Sequence, residues 1–578
     1  MSTDTTTPAK TTTTAPRTNL WRVLTAAGGL ATAGSTMLAW TWTAAFPGNL
    51  TINGYPGGLQ IFTLIAGLAT TLLTLASYDI KGLRWLVPTG ATQAIRLAAL
   101  GAFATTWFTV IAITVDLGGL VNLEPGGYVA AVASTIPAAA SFLIPDDTRL
   151  AKRPQKLSSW LEILLIVVAF AIALQVITYG VDIDDEESQE FIGYLITVGF
   201  GTAALHKAGL VARLSALTQN NRTATAAAAF AAAAAFPFTQ TDDQYLQLGV
   251  SILIFATVAL GLNVVVGLAG LLDLGYVAFL GVGAYTAALV SGSTASTLDV
   301  HFPFWAAVLA GALAALVFGV VIGAPTLRLR GDYLAIVTLG FGEIFRIVVN
   351  NLDGDSGPSL TNGPNGVPNI PDLVIFGYDF GETHTIGSFE LGSFANYYLL
   401  MLLFTVLVVM VFSRAGNSRI GRAWVAIRED ETAATAMGIN GFRLKLIAFA
   451  LGATLAGVAG TVWAHTQYTV VPEQYVFTGP VAPNSAFLLA AVILGGMGTI
   501  SGPLLGAALL FLIPEKLTFL QDYQLLAFGI ALILLMRFRP EGLIPNRRQQ
   551  LEYHETDQLD VPTKGLDDAA VGVTKAEA

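Results

Sequence analysis

A succession of long apolar stretches is the feature that most constrains how this chain can fold. Most of them contain about 20 residues, the number that an α-helix needs to cross the ~30 Å hydrocarbon core of a bilayer. The stretches run from residue 22 to residue 538, and only 12% of all side chains are charged. An ordinary soluble domain carries roughly 25% charged residues. The pattern therefore predicts an all-α, polytopic membrane protein and excludes a soluble domain.

We predict about sixteen membrane segments, two of which form a broken pair. Six lie in the N-terminal third, at 22–46, 58–80, 92–116, 128–145, 159–180 and 191–212. Ten follow, at 223–238, 246–269, 271–290, 303–324, 331–352, 396–413, 443–465, the two pieces of 485–514, and 523–538. The stretch 223–238 is alanine-rich and only weakly hydrophobic, so a surface helix is the alternative there. A span is favoured because the acidic residues after it must lie outside if the later helices are to alternate.

Basic residues indicate the orientation of these segments. Lys and Arg are enriched in the cytoplasmic loops of membrane proteins. They occur here at alternate ends of the spans, beginning with Arg22, which places both termini in the cytoplasm. No Lys or Arg lies between Arg346 and Arg414, and this stretch contains several Asp and Glu residues. We therefore expect 353–394 to form an external loop and 415–442 to face the cytoplasm.

Composition divides the chain into four parts. Residues 1–18 are rich in Thr and Pro and are predicted to form a disordered cytoplasmic tail. Residues 19–222 form a six-span N-terminal extension, and 223–545 contain the remaining spans. Residues 546–578 are acidic and are predicted to form a second disordered cytoplasmic tail.

A charged insert at 421–440 separates two apolar runs on the cytoplasmic side. Its charged residues are Arg422, Arg428, Glu429, Asp430 and Glu431. Asp430 can cap a short helix at its N-terminus, and Gly438 can end it in the left-handed conformation. An apolar stripe lies between these caps, at Ala433, Ala434, Ala436 and Met437. A loop that is merely solvated would not need this order, although the alternative is that the charges only keep the segment in water.

Polar residues and interrupted helices at membrane depth indicate a translocation pathway. The two apolar pieces within 485–514 are each short, and MGTIS separates them. Irregular backbone at this depth needs protein or water around it, so such a break is typical of helices that line a pathway. We place six positions nearest the route: Asn263, Asp273, Tyr285, Thr338, Gly495 and Gly502. Glu343 and Arg346 are three residues apart and are expected to pair on one helix face.

The sequence contains no motif for metal binding, ATP hydrolysis or enzymatic catalysis. The chain contains no cysteine, and its five histidines show no spacing that would chelate a metal. There is no Gly-Lys dipeptide and hence no Walker A loop, so the chain cannot hydrolyse ATP by that route. No nucleophile motif suggests an enzyme, and we predict no cofactor, no metal and no nucleic-acid partner.

Several motifs resemble one known family. They are ALGLNVVVGLAGLLDLGYVAFLGVGAY (259–285), LRLRGDYLAIVTLGFGEIFRIVVNN (327–351), TNGPNG (361–366), LGGMGTISGPLLGAALL (494–510), FGIALILLMRFRPEGL (528–543) and the insert itself. From about 223 to 545 the chain is similar to the LivM-type permease subunits of branched-chain amino acid ABC importers. Asp273 stands where that family usually has a small polar residue, and Tyr276 stands where it usually has His. The first 222 residues have no counterpart in the usual family member.

The resemblance implies a permease core at 223–545 that moves a branched-chain or related amino acid across the cell membrane. It implies that cytoplasmic ABC ATPase subunits grip the 421–440 insert, with Arg422, Arg428, Glu429, Asp430, Glu431, Ala434 and Gly438 as coupling residues. It further implies a second permease of the LivH type and an extracytoplasmic solute-binding protein, all set in membrane lipid.

Two alternatives stay open at this point. Similar permeases carry urea, short amides and other small polar solutes. A chain with ionisable residues inside its spans could also be an ion- or proton-coupled secondary transporter, with Asp273 or the Glu343 and Arg346 pair as the coupling site.

Overall fold

The structure is a computed structural model of the full chain. It describes residues 16–42, 58–147 except 79, 81 and 82, 158–183, 188–240, 242–328 except 295 and 299, 332–386 except 356, 389–479, 484–517 and 523–544. The predicted C-terminal tail lies outside the described residues, as do residues 1–15 of the predicted N-terminal tail. The first described helix begins at Pro16.

Seven α-helices lie in the described part of the N-terminal extension. They are α1 (Pro16–Ser35), α2 (Leu59–Ala76), α3 (Thr92–Asp116), α4 (Pro125–Phe142), α5 (Ser159–Asp182), α6 (Ser188–Ala208) and α7 (Leu210–Asn220). Helix α1 packs on α2 and α4, and α3 packs on α2, α4 and α6. Gly67 of α2 lies so close to the backbone of α1 that a Cβ there would touch the Gly29 carbonyl oxygen. Small residues thus let these helices approach closely.

Twelve helices form the rest of the described chain. They are α8 (Arg222–Ala235), α9 (Asp243–Asn263), α10 (Val277–Val290), α11 (Phe304–Thr326), α12 (Asp332–Asn350), α13 (Ser393–Asn417), α14 (Arg419–Glu429), α15 (Glu431–Ala436), α16 (Gly441–Gln467), α17 (Ser485–Gly495), α18 (Ser501–Lys516) and α19 (Gln524–Phe538). The main buried core lies around α16, which packs against α9, α10 and α11. A Cβ at Gly283 of α10 would collide with the backbone of Gly457 in α16, so only glycine fits this crossing.

The polytopic all-α class is confirmed, but the predicted number of sixteen spans is not. Within the described residues, eight helices are long and apolar enough to cross a membrane, or nine spans if α6 and α7, bent by 74°, are taken together. The span predicted at 223–238 is not supported, because α8 has 14 residues and reaches only about 21 Å. Helices α10 and α17 are likewise shorter than a bilayer.

The loop predicted at 353–394 contains the described strands. They are β1 (Val374–Ile375), β2 (Tyr378–Asp379), β3 (His384–Ile386) and β4 (Phe389–Leu391), paired antiparallel as β1–β2 and β3–β4. An isolated bridge between Val367 and Val470 ties this loop to the chain just after α16. The loop therefore covers one end of the permease core.

Candidate functional site

Two short helices begin side by side in the interior of the core. The backbone N–H of Val277, at the start of α10, donates to Oγ of Ser485, at the start of α17, over 3.1 Å. Next to them the hydroxyl of Tyr276 donates to the carbonyl of Gly452 at 2.6 Å. Gly452 lies near the middle of the 27-residue α16, which is long enough to cross a bilayer. The two helices therefore start close to mid-depth, where broken transporter helices commonly form their sites.

Asp273 and Thr338 meet at this junction. Asp273 is only 1% exposed, and its Oδ1 accepts from the N–H of Gly275 at 3.0 Å. Its Oδ2 is buried and has no hydrogen-bond partner within the described residues. Oγ1 of Thr338, on α12, accepts from the N–H of Leu274 at 3.1 Å. A carboxylate oxygen left without a partner at this depth is costly, so it marks a position where a polar group of a solute could bind.

Tyr285 lies further along α10, away from Asp273. Its ring packs against Phe345 of α12, with centroids 6.1 Å apart, and against Tyr475, with centroids 5.9 Å apart. Within the part of the chain that the structure describes, the hydroxyls of Tyr285 and Tyr475 are buried without hydrogen-bond partners. Tyr475 belongs to the irregular segment between α16 and α17 and was missed in the sequence, because nothing there distinguishes it from a loop residue.

Asn263 lies at the other end of the junction, beside the break between α17 and α18. It is completely buried, and its Nδ2 donates to the carbonyl of Thr499 at 2.6 Å while its Oδ1 accepts from the N–H of Gly498 at 2.8 Å. The predicted break itself is confirmed, since α17 ends at Gly495 and α18 begins at Ser501. Gly502 lies in the first turn of α18, and its N–H donates to Oγ1 of Thr499. Asn263, Gly495 and Gly502 thus belong to one cluster, and Asp273 and Thr338 to another.

One end of the core is held by Asp372 in the loop before β1. Its Oδ1 accepts from the hydroxyls of Tyr397 at 3.0 Å and Tyr468 at 2.8 Å. Burial raises the pKa of Tyr468, so this phenol stays protonated and remains a donor at neutral pH. These bonds attach the loop to α13 and to the end of α16.

The charged insert folds as two helices, and both predicted caps of the second are confirmed. Oδ1 of Asp430 accepts from the N–H groups of Thr432 and Ala433 at 2.8 and 3.0 Å. Gly438 has φ of 88°, and the N–H groups of Gly438 and Ile439 bond back to Thr435 and Ala434. This is a Schellman ending, and it gives α15 a defined length. The insert is therefore an ordered element and not a loose loop.

Several charged residues of the insert bind within this chain. Nη1 of Arg428 donates to the carbonyl of Gly267 at 2.9 Å, and its guanidinium also pairs with Glu429. Glu431 pairs with the buried Lys445 of α16 at 2.7 Å. Trp424, only 1% exposed, donates to the carbonyl of Leu444 at 2.8 Å. These contacts fasten the insert to the membrane core.

The exposed face of the insert lies elsewhere. Ala434 is buried, whereas Ala433, Ala436 and Met437 are exposed, Met437 to 84%. Arg422 is also exposed, and its Nη1 donates to the carbonyl of Asn417. The predicted apolar stripe thus points mainly away from this chain, which sequence reasoning could not decide.

Two further predictions concern an ion pair on α12 and metal binding. Glu343 and Arg346 form the predicted ion pair, with Nε and Oε2 2.9 Å apart, on a partly exposed flank of α12. Within the described ranges, no group of three or more His, Asp or Glu side chains could hold a metal ion.

Short helices that start at mid-depth, a glycine break and an ordered insert define a polytopic transport permease. The family described as "Branched-chain amino acid transport system / permease component" matches residues 244–536, which is about half of the chain. The chain belongs to this family. The predicted resemblance is thereby confirmed, and the protein is a multi-pass protein of the inner membrane.

Individual relatives agree with this family. The LivM permease protein of the high-affinity branched-chain amino acid transport system of Escherichia coli K12 is 41% identical over 317 residues, which cover 52% of this chain and 70% of that protein. A probable LivM of Methanocaldococcus jannaschii is 28% identical over 253 residues, 40% of this chain and 67% of that protein. The LivH permease protein of E. coli K12 is 25% identical over 305 residues, 50% of this chain and 91% of that protein. No solved structure matches the chain. These relatives are transport subunits, so the secondary-transporter alternative is not favoured.

Proposed function

We propose that this chain is the transmembrane permease subunit of an ABC importer for branched-chain or related amino acids. The observation that carries the proposal is the insert, which is capped at both ends and fastened to the permease core in a chain of this family. A short helix that keeps its length and exposes apolar residues is suited to lie in a groove of another protein.

The exposed residues of α15 are the proposed contact with the cytoplasmic ATPase subunits. Ala433, Ala436 and Met437 present an apolar surface, and the two alanines have no side-chain rotamers to order on binding. Arg422 and Glu429 flank it and supply charge. Arg428, Asp430, Glu431, Ala434 and Gly438 take part in the coupling by shaping and holding the insert, so that a push on α15 is transmitted to the core.

The remaining partners follow from the same assignment. Two of the E. coli relatives, LivM and LivH, are both named as permease proteins of a high-affinity branched-chain amino acid system. We therefore propose that this chain pairs with a second, LivH-type permease and receives its solute from an extracytoplasmic binding protein. Both termini and the insert would face the cytoplasm, and the loop that carries β1–β4 would face the binding protein.

We place the solute route along α10 and its neighbours. Asp273 and Thr338 lie at mid-depth, and Tyr285 and Tyr475 lie closer to the external loop. Three buried polar atoms here lack partners within the described residues, namely Oδ2 of Asp273 and the two tyrosine hydroxyls. Such atoms are stabilised when the amino and carboxyl groups of a passing amino acid, or water, occupy the seam between α10 and α12.

The N-terminal extension, 19–222, is proposed to be a separate unit attached to the permease core, 223–545. Lys516 at the end of α18 is fully buried, and its Nζ donates to the carbonyl of Ile183, just after α5, at 2.6 Å. The same ammonium lies 4.2 Å from the ring centre of Tyr245 in α9. Leu517 inserts into an apolar cluster of the extension. We infer that the extension binds the C-terminal end of α18 and serves in assembly or sensing.

Transport by the complete complex tests the assignment. The chain is co-expressed with its ATPase subunits, partner permease and binding protein, reconstituted in liposomes and supplied with radiolabelled leucine or urea. We expect leucine uptake that requires ATP and binding protein and does not require a proton or sodium gradient. Uptake driven by an ion gradient without ATP would contradict the proposal. Uptake of urea but not of leucine would show that the substrate is a small amide and not an amino acid.

Cysteine labelling tests the orientation independently. The chain contains no cysteine, so single cysteines give a clean signal. Ser359 and Thr435 are both exposed. In intact cells, an impermeant thiol reagent should label a cysteine at Ser359 and leave one at Thr435 unlabelled until the cells are opened. The reverse pattern would invert the topology.

A further inference from the structure

The insert and the break between α17 and α18 are joined through a single turn of α9. Helix α9 ends at Asn263 and continues as a π-helical turn, Val264–Leu268. Such turns are rare within helices and are frequently found at functional sites. Arg428 of the insert donates to the carbonyl of Gly267 in this turn, and Asn263, the residue before the turn, bonds to the break. A Cβ on Gly267 would collide with the side chain of Asn263, so the two contacts are adjacent.

The contact between Arg428 and the π turn has a fixed orientation. Nη1 of Arg428 donates to the Gly267 carbonyl, while Nε and Nη2 are both held by Oε1 of Glu429, at 3.0 and 2.6 Å. The side chain of Arg428 lies over Gly270, which has φ of 70°, and a Cβ at that position would collide with it. The guanidinium is thus oriented from two sides, so that a displacement of α14 must displace the turn.

The contact on the break side uses both a donor and an acceptor. Asn263 donates to Thr499 and accepts from Gly498, so its side-chain amide resists displacement of this backbone in either direction. Gly496 and Gly498 have φ of 123° and 74°, a conformation that prevents a regular helix here. The other flank of the break is fixed by the segment after α19, where Leu543 and Ile544 donate to the carbonyls of Leu494 and Gly495. Movement from the insert therefore reaches the break through Asn263.

We propose that Arg428, the π turn and Asn263 form a mechanical relay that transmits ATPase-driven movement of the insert to the break between α17 and α18. Asn263 is then a positioning residue for transport and not a residue that touches the solute. The inference rests on the proposed function, because a relay needs an ATPase to drive it.

The test separates ATP hydrolysis from uptake in the complete complex. Asn263→Leu keeps the size of the side chain and removes both bonds to the break, and Arg428→Gln removes the guanidinium from Gly267. Matched controls are Thr257→Val, which removes a buried bond between α9 and α13, and Arg419→Gln, an exposed arginine at the start of α14. We expect leucine uptake per ATP hydrolysed to fall about tenfold in the two relay variants and to stay within about twofold of wild type in the controls. ATP hydrolysis itself should continue in all four.

A spectroscopic measurement checks the relay directly. Ser501, the first residue of α18, is exposed, and a spin label on a cysteine there reports movement of the break. We expect its spectrum to change on ATP binding in wild type and in Thr257→Val, and to stay constant in Asn263→Leu. If Asn263→Leu does not fold, Asn263→Asp replaces it, since a carboxylate still accepts from Gly498 but cannot donate to Thr499.

The possible results are distinct. An unchanged ratio of uptake to hydrolysis in the relay variants would overturn the relay, and so would a proportional fall of both activities with a retained spectral change at Ser501. Absence of ATP-driven uptake by the wild-type complex would instead contradict the proposed function itself.

Discussion

The extension and the permease core both bury threonines that bond within their own helix, but the core adds buried side chains that bond to distant backbone. In the extension, Thr32, Thr70 and Thr106 each donate to the carbonyl four residues earlier in their own helix. In the core, Tyr276 and Asn263 bond to elements that are distant in the chain. Bonds between elements also occur in the extension, where Asp147 accepts from the start of α3 and Thr71 of α2 donates to the Ala26 carbonyl of α1 at 3.4 Å.

This difference distinguishes the extension, a bundle of regular helices, from the core, in which side chains hold irregular backbone in place. A threonine bonded to its own helix satisfies its hydroxyl without linking two helices. A side chain that bonds to a distant backbone fixes turns and breaks that no helix ladder could hold. We propose that the extension serves in assembly or sensing and that the moving parts lie in the core, at 264–276 and 496–500.

The largest expected effect comes from one glycine in each region. Gly283→Ala in α10 places a methyl group against the backbone of Gly457, which cannot move aside, whereas Gly199 in α6 has nothing within 4 Å of a Cβ. We expect Gly283→Ala to lower the unfolding free energy by about 3 kcal/mol. Gly199→Ala should be neutral or should raise it by up to about 1 kcal/mol. Thermal unfolding in detergent measures both, and equal midpoints would show that the core tolerates looser packing than the structure implies.

A smaller effect is expected from one buried hydroxyl in each region. Tyr276→Phe removes a bond between two elements of the core, and we expect a loss of about 1 kcal/mol. Thr106→Val removes a bond within one helix, where the Ala102 carbonyl stays in the helical ladder, so the loss should be below about 0.5 kcal/mol. The same unfolding assay compares them. If Thr106→Val costs as much as Tyr276→Phe, the distinction between the two regions fails.

The smallest expected effect is on transport, and it comes from replacing one buried carboxyl group in each region. Oε1 of Glu190 in α6 accepts from the hydroxyl of Tyr179 at 2.6 Å, whereas Oδ2 of Asp273 has no partner within the described residues. Asp273→Asn should change the uptake rate, or its dependence on pH, by about threefold at unchanged abundance, because the route loses an ionisable side chain. Glu190→Gln should leave uptake unchanged. Normal uptake across pH 5–8 in Asp273→Asn, in about the range where carboxyl and imidazole groups titrate, would remove Asp273 from the route.

Local features were predictable from the sequence. The caps of α15 depend on Asp430 and Gly438, residues whose conformational preferences act within a few positions. The break between α17 and α18 was evident because each apolar piece is short and glycines separate them. The membrane class followed from the length of the apolar stretches alone.

Long-range features were not predictable from one sequence. Asn263 and Thr499 are 236 residues apart, and Lys516 and Ile183 are 333 residues apart. No local preference links such positions. The predicted span count is not confirmed, because stretches such as 223–238 and 271–290 form helices shorter than the bilayer, and packing by neighbouring helices allows such short helices in the core.

The exposed tip of the insert is the proposed contact with the ATPase. Met437 is 84% exposed at that tip, and Val121, in the turn between α3 and α4 of the extension, is 96% exposed. A photoreactive maleimide on a single cysteine at each position can be activated in the assembled complex. We predict that the probe at Met437 cross-links to the ATPase subunit and that the probe at Val121 does not. Cross-linking of the ATPase from Val121, or none from Met437 in a complex that transports leucine, would contradict the account.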